Sequence, residues 1–282
     1  MTHQEQERNV TTQSQAPDAG AIKELQRRAW AAGEYARVGN RLVIMGELLC
    51  EALDLRAGER VLDVATGSGN AAISAARRSC EVRGLDYVPE WVEYARERAE
   101  AERLSVTFEV GDAENLPYPN ASFDAVLSTI GVMFAPDQEK AAGELLRVCR
   151  PGGKVGLANW TPDGFVGDFF GTIDEHVPPP PGLESPLSWG TEERLQELLG
   201  AGVSSLTVTR RSYVLRYSSA QHFIEHYRSY FGPMREAFEA LDKPGQDALA
   251  RDIEELLDRW NASGDKTLVV PADYLEVVAI RR

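Results

Sequence analysis

The twelve residues VLDVATGSGNAA, Val61 to Ala72, constrain the fold more than any other stretch of the chain. Five mostly apolar residues lead into Gly67-Ser68-Gly69, and small residues suited to opening a helix follow. A strand, a glycine turn and a helix in this order are typical of the first βα unit of a nucleotide-binding α/β sheet. The glycines alone leave two ligands open, because Gly67-x-Gly69-x-x-Ala72 also fits the pattern of NAD enzymes.

Strands and helices alternate downstream of this unit. Further strands are predicted in EVRGLD, VTFEVGD, FDAVLSTI and KVGLANW, with residues of helical periodicity between them. This alternation predicts an α/β protein with a parallel sheet and right-handed crossovers. Beyond Trp160 the segment TPDGFVGDFFGTIDEHVPPPPGLESPLSWG is rich in Gly and Pro, and we interpret it as a loop. A short helix, a long strand in SSLTVTRRSYVLRYS, about 45 helix-patterned residues and a closing strand complete the chain.

The chain therefore divides into four parts. We expect a disordered tail over 1–20, because these residues are polar and offer almost nothing to bury. A helical segment spans 21–57, and the strand-rich nucleotide-binding core spans 58–160. The remaining residues, 161–282, complete the sheet and carry a helical insertion at about 217–264, between the last two strands.

Composition and charge narrow the class of ligand. The formal net charge is −14 at pH 7 over 282 residues. A surface this acidic repels phosphate backbones, so we expect no nucleic-acid partner. No apolar run reaches the length of a membrane span, and the polar N-terminus lacks the apolar stretch of a signal peptide. We expect buried free thiols at Cys50 and Cys149, which indicates a reduced, cytoplasmic protein.

Asp63 discriminates between the two nucleotide classes. It lies inside the first strand, four residues before Gly67. A dinucleotide places a doubly charged pyrophosphate over the glycine turn, whereas S-adenosylmethionine (SAM) places a sulfonium and an ammonium there. A carboxylate repels the first and attracts the second by a few kcal/mol at an effective dielectric constant of about 20. Asp63 therefore favours SAM.

The ends of the second and third strands carry two further acids. Asp86 ends the second strand, where its carboxylate is placed to accept hydrogen bonds from a ribose diol. Asp112 ends the third strand, where a carboxylate can accept from the exocyclic amine of adenine while the Ala113 amide contacts a ring nitrogen. Neither the Tyr-x-x-x-Lys pair of dehydrogenases nor a GxxxxGK[ST] phosphate loop occurs in the chain.

In combination, four segments resemble the successive motifs of class I SAM-dependent methyltransferases. They are VLDVATGSGNAA, GLDYVP, GDAENLPYPNASFDAVLS and ELLRVCRPGGKVGLANW, within about residues 22–160. The branch that they resemble includes the C-methyltransferases of ubiquinone and menaquinone biosynthesis and many bacterial small-molecule, or natural-product, methyltransferases. The resemblance implies a Rossmann-like seven-stranded sheet of order 3-2-1-4-5-7-6 with an antiparallel last strand. It also implies an N-terminal helical lid and places the helical insertion between the last two strands.

The resemblance further implies which residues contact the cofactor. The methionine part lies against Asp63 and the two glycines that follow it, and Asp86 binds the ribose. Tyr87 flanks the adenine, and Ser128 lies near the sulfonium, although packing alone also explains this serine. The full set of cofactor-binding candidates is Tyr35, Asp63, Ala65, Gly67, Gly69, Asp86, Tyr87, Asp112, Ala113, Glu114 and Ser128.

No single catalytic residue stands out, and three candidates are considered: Tyr35, His176 and His226. Tyr35 lies in the segment that the resemblance makes a lid, so its hydroxyl can reach the methionine carboxylate or the acceptor; helix packing is the alternative. A histidine suits a general base for O- or N-methylation, although a lone histidine is more often structural. His222 and His226 share a helix face, but no carboxylate completes a metal site, and we expect no metal.

We expect methyl transfer from SAM to a C, O or N atom of a small, largely apolar metabolite in specialised metabolism, with S-adenosylhomocysteine as the product. The leaving group is a neutral thioether, so the enzyme mainly aligns the acceptor. Aromatic residues in the insertion and the proline-rich segment indicate a bulky apolar acceptor, although they also suit the insertion's own core. An NAD(P)-dependent oxidoreductase and a non-catalytic SAM-binding protein are the alternatives. Helical lids sometimes pair in such enzymes, which allows a homodimer.

Overall fold

The computed structural model describes residues 19–282. The tail predicted over 1–20 therefore lies outside the described residues, except for its last two, which begin the first helix. The α-helices of the described chain are α1 (Ala19–Ala31), α2 (Ala36–Gly39), α3 (Val43–Ala52), α4 (Asn70–Arg77), α5 (Pro89–Ala101), α6 (Gln138–Val148), α7 (Phe165–His176), α8 (Glu192–Leu199), α9 (Ala220–Tyr230), α10 (Gly232–Ala240) and α11 (Lys243–Trp260).

Seven strands form one sheet in the order β3-β2-β1-β4-β5-β7-β6. Neighbours from β3 to β5 pair in parallel, whereas β7 runs antiparallel to both β5 and β6. This confirms the predicted order, the antiparallel last strand and the helices inserted before it. The strands are β1 (Arg60–Val64), β2 (Glu81–Asp86), β3 (Val106–Val110), β4 (Phe123–Thr129), β5 (Cys149–Trp160), β6 (Val203–Tyr217) and β7 (Leu268–Arg281).

Both faces of the sheet are covered, as a parallel sheet requires. Side chains alternate along a strand, so successive residues of β1 enter different cores. Leu62 packs in a buried cluster with Val126 and Leu157, whereas Val61 packs on the opposite face with Ala72 of α4. The three free cysteines are buried in these layers, which confirms the thiols predicted at positions 50 and 149.

The segment interpreted as a loop after Trp160 contains a helix, α7. Its apolar residues Phe165, Phe169 and Ile173 lie four positions apart and are all buried. Gly167 lowers helix propensity, but a β-carbon there would lie 1.9 Å from the carbonyl oxygen of Pro162. Glycine is therefore needed for close packing, and burial of the apolar face outweighs the weak local propensity.

Helix α1 docks against the junction of α9 and α10, and we call these three helices the roof. Backbones meet closely there: a β-carbon on Gly33 would lie 2.3 Å from the carbonyl oxygen of Tyr230, and one on Gly232 would lie 1.8 Å from that of Ala29. The Arg235 guanidinium also donates to the carbonyl oxygen of Ala32 at 2.7 Å. The N-terminal segment and the insertion are thus joined through backbone atoms.

Gly232→Ala should separate these backbones. Because the added methyl meets a carbonyl oxygen that cannot rotate away, we expect the free energy of unfolding to fall by about 1–3 kcal/mol. Gly143→Ala is the matched control, since a β-carbon in that exposed turn of α6 meets nothing within 4 Å. It should raise the free energy of unfolding by about 0.5–1 kcal/mol. Urea unfolding of both variants measures this, and equal stabilities would contradict the close docking.

Candidate functional site

A cleft that is partly open to solvent lies at the carboxyl ends of β1 to β4. This is the edge at which open parallel sheets bind ligands. Helix α1 lies along its other side, where Lys23, Gln26 and Trp30 line it. The topology therefore brings the N-terminal segment over the acids that follow the strands.

The glycine turn after β1 adopts the backbone conformation that its sequence suggested. Gly67 and Gly69 have φ of 52° and 83°, in the left-handed region that favours glycine. Ala65 and Ile130, which directly follow β1 and β4, also have φ of 53°. Such strain in residues with side chains concentrates at functional sites, and both residues line the cleft.

Asp63 is 1% exposed and lines the cleft. Its Oδ2 accepts hydrogen bonds from the Thr66 hydroxyl at 2.6 Å and from the Ala72 amide of α4 at 2.9 Å. Burial dominates over these bonds and raises the pKa of Asp63 to about 7. Near neutral pH, a cation brought against this carboxylate would therefore favour its ionised form.

Asp86 lies beside the same turn at the end of β2. Its Oδ2 accepts from the Gly67 amide at 2.8 Å, and its Oδ1 accepts from the Val88 amide at 3.0 Å. Burial raises the pKa of Asp86 to about 6 despite these bonds. Tyr87 lines the cleft next to it, and burial raises the pKa of its phenol well above the usual range.

The acids after β3 are bound by a lysine from the roof. The Lys23 ammonium lies 2.6 Å from Asp112 Oδ2 and 2.5 Å from Glu114 Oε2. Asp112 Oδ1 accepts from the Glu114 amide at 2.9 Å, and Glu114 Oε1 accepts from the Asp137 amide at 2.9 Å. Ala113 lines the cleft between the two acids. These bonds hold α1 against the end of β3.

Two of the predicted cofactor contacts face the protein interior. Ser128 is fully buried, and its hydroxyl donates to the Val64 carbonyl at 2.7 Å and accepts from the Val132 amide at 2.9 Å. A β-carbon on Gly69 would point at Ala95 and Phe108. Neither is among the described residues that line the cleft, so their predicted contacts with the cofactor stay predictions.

Tyr35 is brought into the cleft, whereas the two candidate histidines are not. The Tyr35 ring contacts Trp30 and Trp91 edge-on and lies over Gly67. Burial raises the pKa of its phenol to about 12.

Both candidate histidines hold helices together. His176 Nε2 lies 2.7 Å from Asp252 Oδ2 and so joins α7 to α11. His226 Nε2 lies 3.3 Å from the carbonyl oxygen of Arg37 and joins α9 to α2. Neither is among the described residues lining the cleft, so the structure places no histidine base there. Within residues 19–282, no group of three His, Cys, Asp or Glu side chains is arranged to hold a metal ion.

Part of the cleft lining is aromatic. Trp30 and Phe134, which line it, lie 4.9 Å apart between ring centroids. Phe170 and Phe231 pack behind them, at 6.3 Å from Phe134 and 5.6 Å from Trp30. These four rings come from α1, the turn after β4, α7 and the insertion. The cleft thus combines two sets of residues: the acids at the strand ends, which we call its acidic half, and Trp30 and Phe134 with the rings behind them, which we call its aromatic half.

Sequence reasoning missed several polar residues of the cleft. Thr66 donates to Asp63 and orients it. Its position in the glycine turn could have indicated this role. Lys23 and Gln26 reach the cleft only through the docking of α1, which no local pattern indicates. The Gln26 Oε1 and Thr129 Oγ1 atoms are buried, and neither has a hydrogen-bond partner among the described residues. Buried polar atoms are usually satisfied, and both of these residues line the cleft.

Comparison with known proteins agrees with this geometry. A family model described as a methyltransferase domain matches residues 61–153, from β1 into the first part of β5. No helix in the described part of the chain has the length and apolar character needed to cross a bilayer.

Two relatives illustrate the sequence similarity. Rv1403c of Mycobacterium tuberculosis is 38% identical over 259 residues, which cover 90% of this chain and 93% of that protein. A demethylmenaquinone methyltransferase of Deinococcus radiodurans is 39% identical over 159 residues, covering 50% of this chain and 66% of the relative.

Structural similarity extends over most of the chain. The crystal structure of YcgJ from Bacillus subtilis is similar with a TM-score of 0.60 at 20% identity, covering 83% of this chain and 97% of that one. By its motifs, its strand order and these likenesses, the chain belongs to the class I SAM-dependent methyltransferases.

Proposed function

We propose that the cleft binds SAM across its acidic half and a small, largely apolar methyl acceptor in its aromatic half. The observation that carries this proposal is that buried acids and aromatic side chains line one cleft. Asp63 and the Gly67 turn would bind the methionine part, and Asp86 the ribose. Asp112 and Ala113 would bind the adenine, with Tyr87 beside it.

The buried acids fit a cationic ligand and disfavour a dinucleotide. Asp63 and Asp86 both pay for ionisation through desolvation, as their raised pKa values of about 7 and 6 reflect. An ammonium near Asp63 offsets that cost, whereas a pyrophosphate adds like charge in a poorly solvated cleft. This electrostatic difference argues against the NAD(P)-dependent alternative.

Alignment of the acceptor is the main catalytic contribution that these residues support. When bound, SAM supplies a methyl group already activated by its positive sulfur. The Tyr35 phenol is neutral near pH 7 because burial raises its pKa to about 12, so it suits positioning better than proton abstraction. No histidine is among the described residues that line the cleft, and fixing the acceptor against the methyl group is the contribution to rate enhancement that we propose.

The aromatic half supports an acceptor of modest size. The rings of Trp30 and Phe134 offer flat apolar surface to the cleft, and Phe170 and Phe231 pack behind them. A small metabolite of specialised metabolism fits this enclosure better than a polymer does. The same proposal includes a cytoplasmic location, which the buried free thiols favour. It also includes a homodimer, in which the roofs of two subunits would pack against each other.

The affinity for S-adenosylhomocysteine should fall as the pH is lowered. The ionised form of Asp63 binds the ligand ammonium, and protonation below a pKa of about 7 removes that charge. Between pH 7.5 and 5.5 we therefore expect the affinity to drop by more than about tenfold. Asp63→Asn should bind more weakly at pH 7.5 and lose most of the pH dependence. Isothermal titration calorimetry at several pH values measures both effects.

Asp247→Asn is the control for this experiment, since that exposed acid on α11 pairs with Lys243 alone among the described residues. It should reproduce the wild-type profile. A wild-type affinity that does not change over this pH range, or an Asp63→Asn variant that binds as tightly as wild type, would contradict the role of Asp63.

Phe134→Ala should separate cofactor binding from methyl transfer. The substitution opens the aromatic half, so we expect S-adenosylhomocysteine affinity to stay within about twofold while transfer falls by more than about tenfold through misalignment. The assay follows label from methyl-tritiated SAM into an organic extract of the host cells.

Ile44→Ala provides the matched control, because Ile44 is 54% exposed and lies outside the lining of the cleft. It should leave both binding and transfer unchanged. If wild type bound S-adenosylhomocysteine yet labelled no extract component, the non-catalytic alternative would stand instead. Equal transfer by Phe134→Ala and wild type would place the acceptor elsewhere.

A further inference from the structure

The roof helix α1 forms a second wall of the cleft, opposite the acids after β3. Lys23 is 24% exposed and bonds Asp112 and Glu114, the latter only 4% exposed. These two ion pairs hold the first turns of α1 at the part of the cleft lined by Tyr87, Gly111 and Ala113. The side chain one turn further along α1 faces the same cleft, and it belongs to Gln26.

Gln26 carries a polar atom that the protein leaves unsatisfied. Its Oε1 is shielded from solvent and accepts no hydrogen bond from any described residue. Leaving a buried acceptor unpaired costs about 1–3 kcal/mol, so a native structure normally supplies a donor. The Lys23 ammonium is bonded to the two acids after β3, and the neighbouring Arg27 donates to Glu24 on α1 itself. Neither side chain donates to Gln26.

The surroundings favour a hydrogen-bond donor over an acceptor. Asp112 and Glu114 share the single Lys23 ammonium, so this end of the cleft keeps an excess of carboxylate over cation. Tyr87 and Ala113 line the same cleft and offer it a flat and a small surface. A planar heterocycle bearing an N–H donor suits such a lining.

We infer that Gln26 is a specificity-determining residue whose side-chain oxygen accepts a hydrogen bond from the exocyclic amine of the cofactor's adenine. This inference rests on the proposed function, which places adenine between Asp112 and Tyr87. It adds a contact from the roof that the strand-end motifs do not contain. Recognition of the base then requires α1 to be docked, so selection of the cofactor depends on the docked roof.

The test compares two ligands that differ at the amine. S-inosylhomocysteine carries a ring carbonyl in place of the exocyclic amine, so it offers Gln26 an acceptor where S-adenosylhomocysteine offers a donor. Wild-type full-length protein should prefer S-adenosylhomocysteine. Gln26→Met keeps the length and removes the acceptor, so it should lower S-adenosylhomocysteine affinity about five- to tenfold and leave the inosyl compound unchanged.

Two further variants make the result specific. Arg27→Met, on the same helix, should keep the wild-type preference, because Arg27 bonds Glu24 and not the cleft. Gln26→Glu retains an acceptor oxygen and should retain most of the preference. Calorimetric dissociation constants for both ligands supply the readout, with circular dichroism confirming the fold of each variant.

The outcomes separate this inference from the proposed function. If Gln26→Met weakens both ligands equally, or neither, Gln26 does not read the amine and the inference is overturned while SAM binding stands. If wild type binds neither ligand, the proposed function fails and the inference fails with it. A selective loss for S-adenosylhomocysteine in Gln26→Met, restored in Gln26→Glu, supports the inference.

Discussion

Burial of the Asp63 carboxyl group at the carboxyl end of β1 is the constraint on which the site depends. One oxygen ties the glycine turn to α4 through Thr66 and Ala72, so the group shapes the strand–turn–helix unit. The same burial destabilises the ionised carboxylate and raises the pKa of Asp63 to about 7. A cation bound beside Asp63 would offset this cost. In the proposed function, fold and ligand preference thus have one origin. The glycines alone leave the nucleotide undecided, and we propose that the acid beside them selects SAM.

Local sequence patterns were sufficient to predict the strands of the sheet and the acids at their carboxyl ends. The strand ends at Asp86 and Asp112 were readable because apolar runs stop at polar residues, and parallel strands carry their carboxyl ends to one side. The strand order itself followed from the family resemblance, since spacing along a chain does not state which strands pair. The sequence-based interpretation was therefore strongest for residues whose roles follow from their own strand.

Long-range packing determined what the sequence did not reveal. Helix α7 was not predicted because its segment is rich in glycine, although its apolar residues recur every four positions. Gly167 allows the helix to approach Pro162 closely. Gln26 and Trp30 belong to the cleft only because α1 docks on the insertion through Gly33 and Gly232. Ser128 differs in the opposite direction: the sequence placed it near the ligand, whereas its hydroxyl faces the interior and bonds backbone atoms. Such placements depend on segments far apart in the chain.

The ionisation of Asp63 itself is the most direct measure of this account. Carbon-13 NMR of the aspartate carboxyl groups, with the Asp63→Asn spectrum as the assignment, follows its titration in the free protein and with saturating S-adenosylhomocysteine. The account predicts a pKa of about 7 for Asp63 in the free protein and a clear decrease when the ligand ammonium is bound. A free-protein pKa near the ordinary value of 3.8, or a raised pKa that the ligand leaves unchanged, would contradict it.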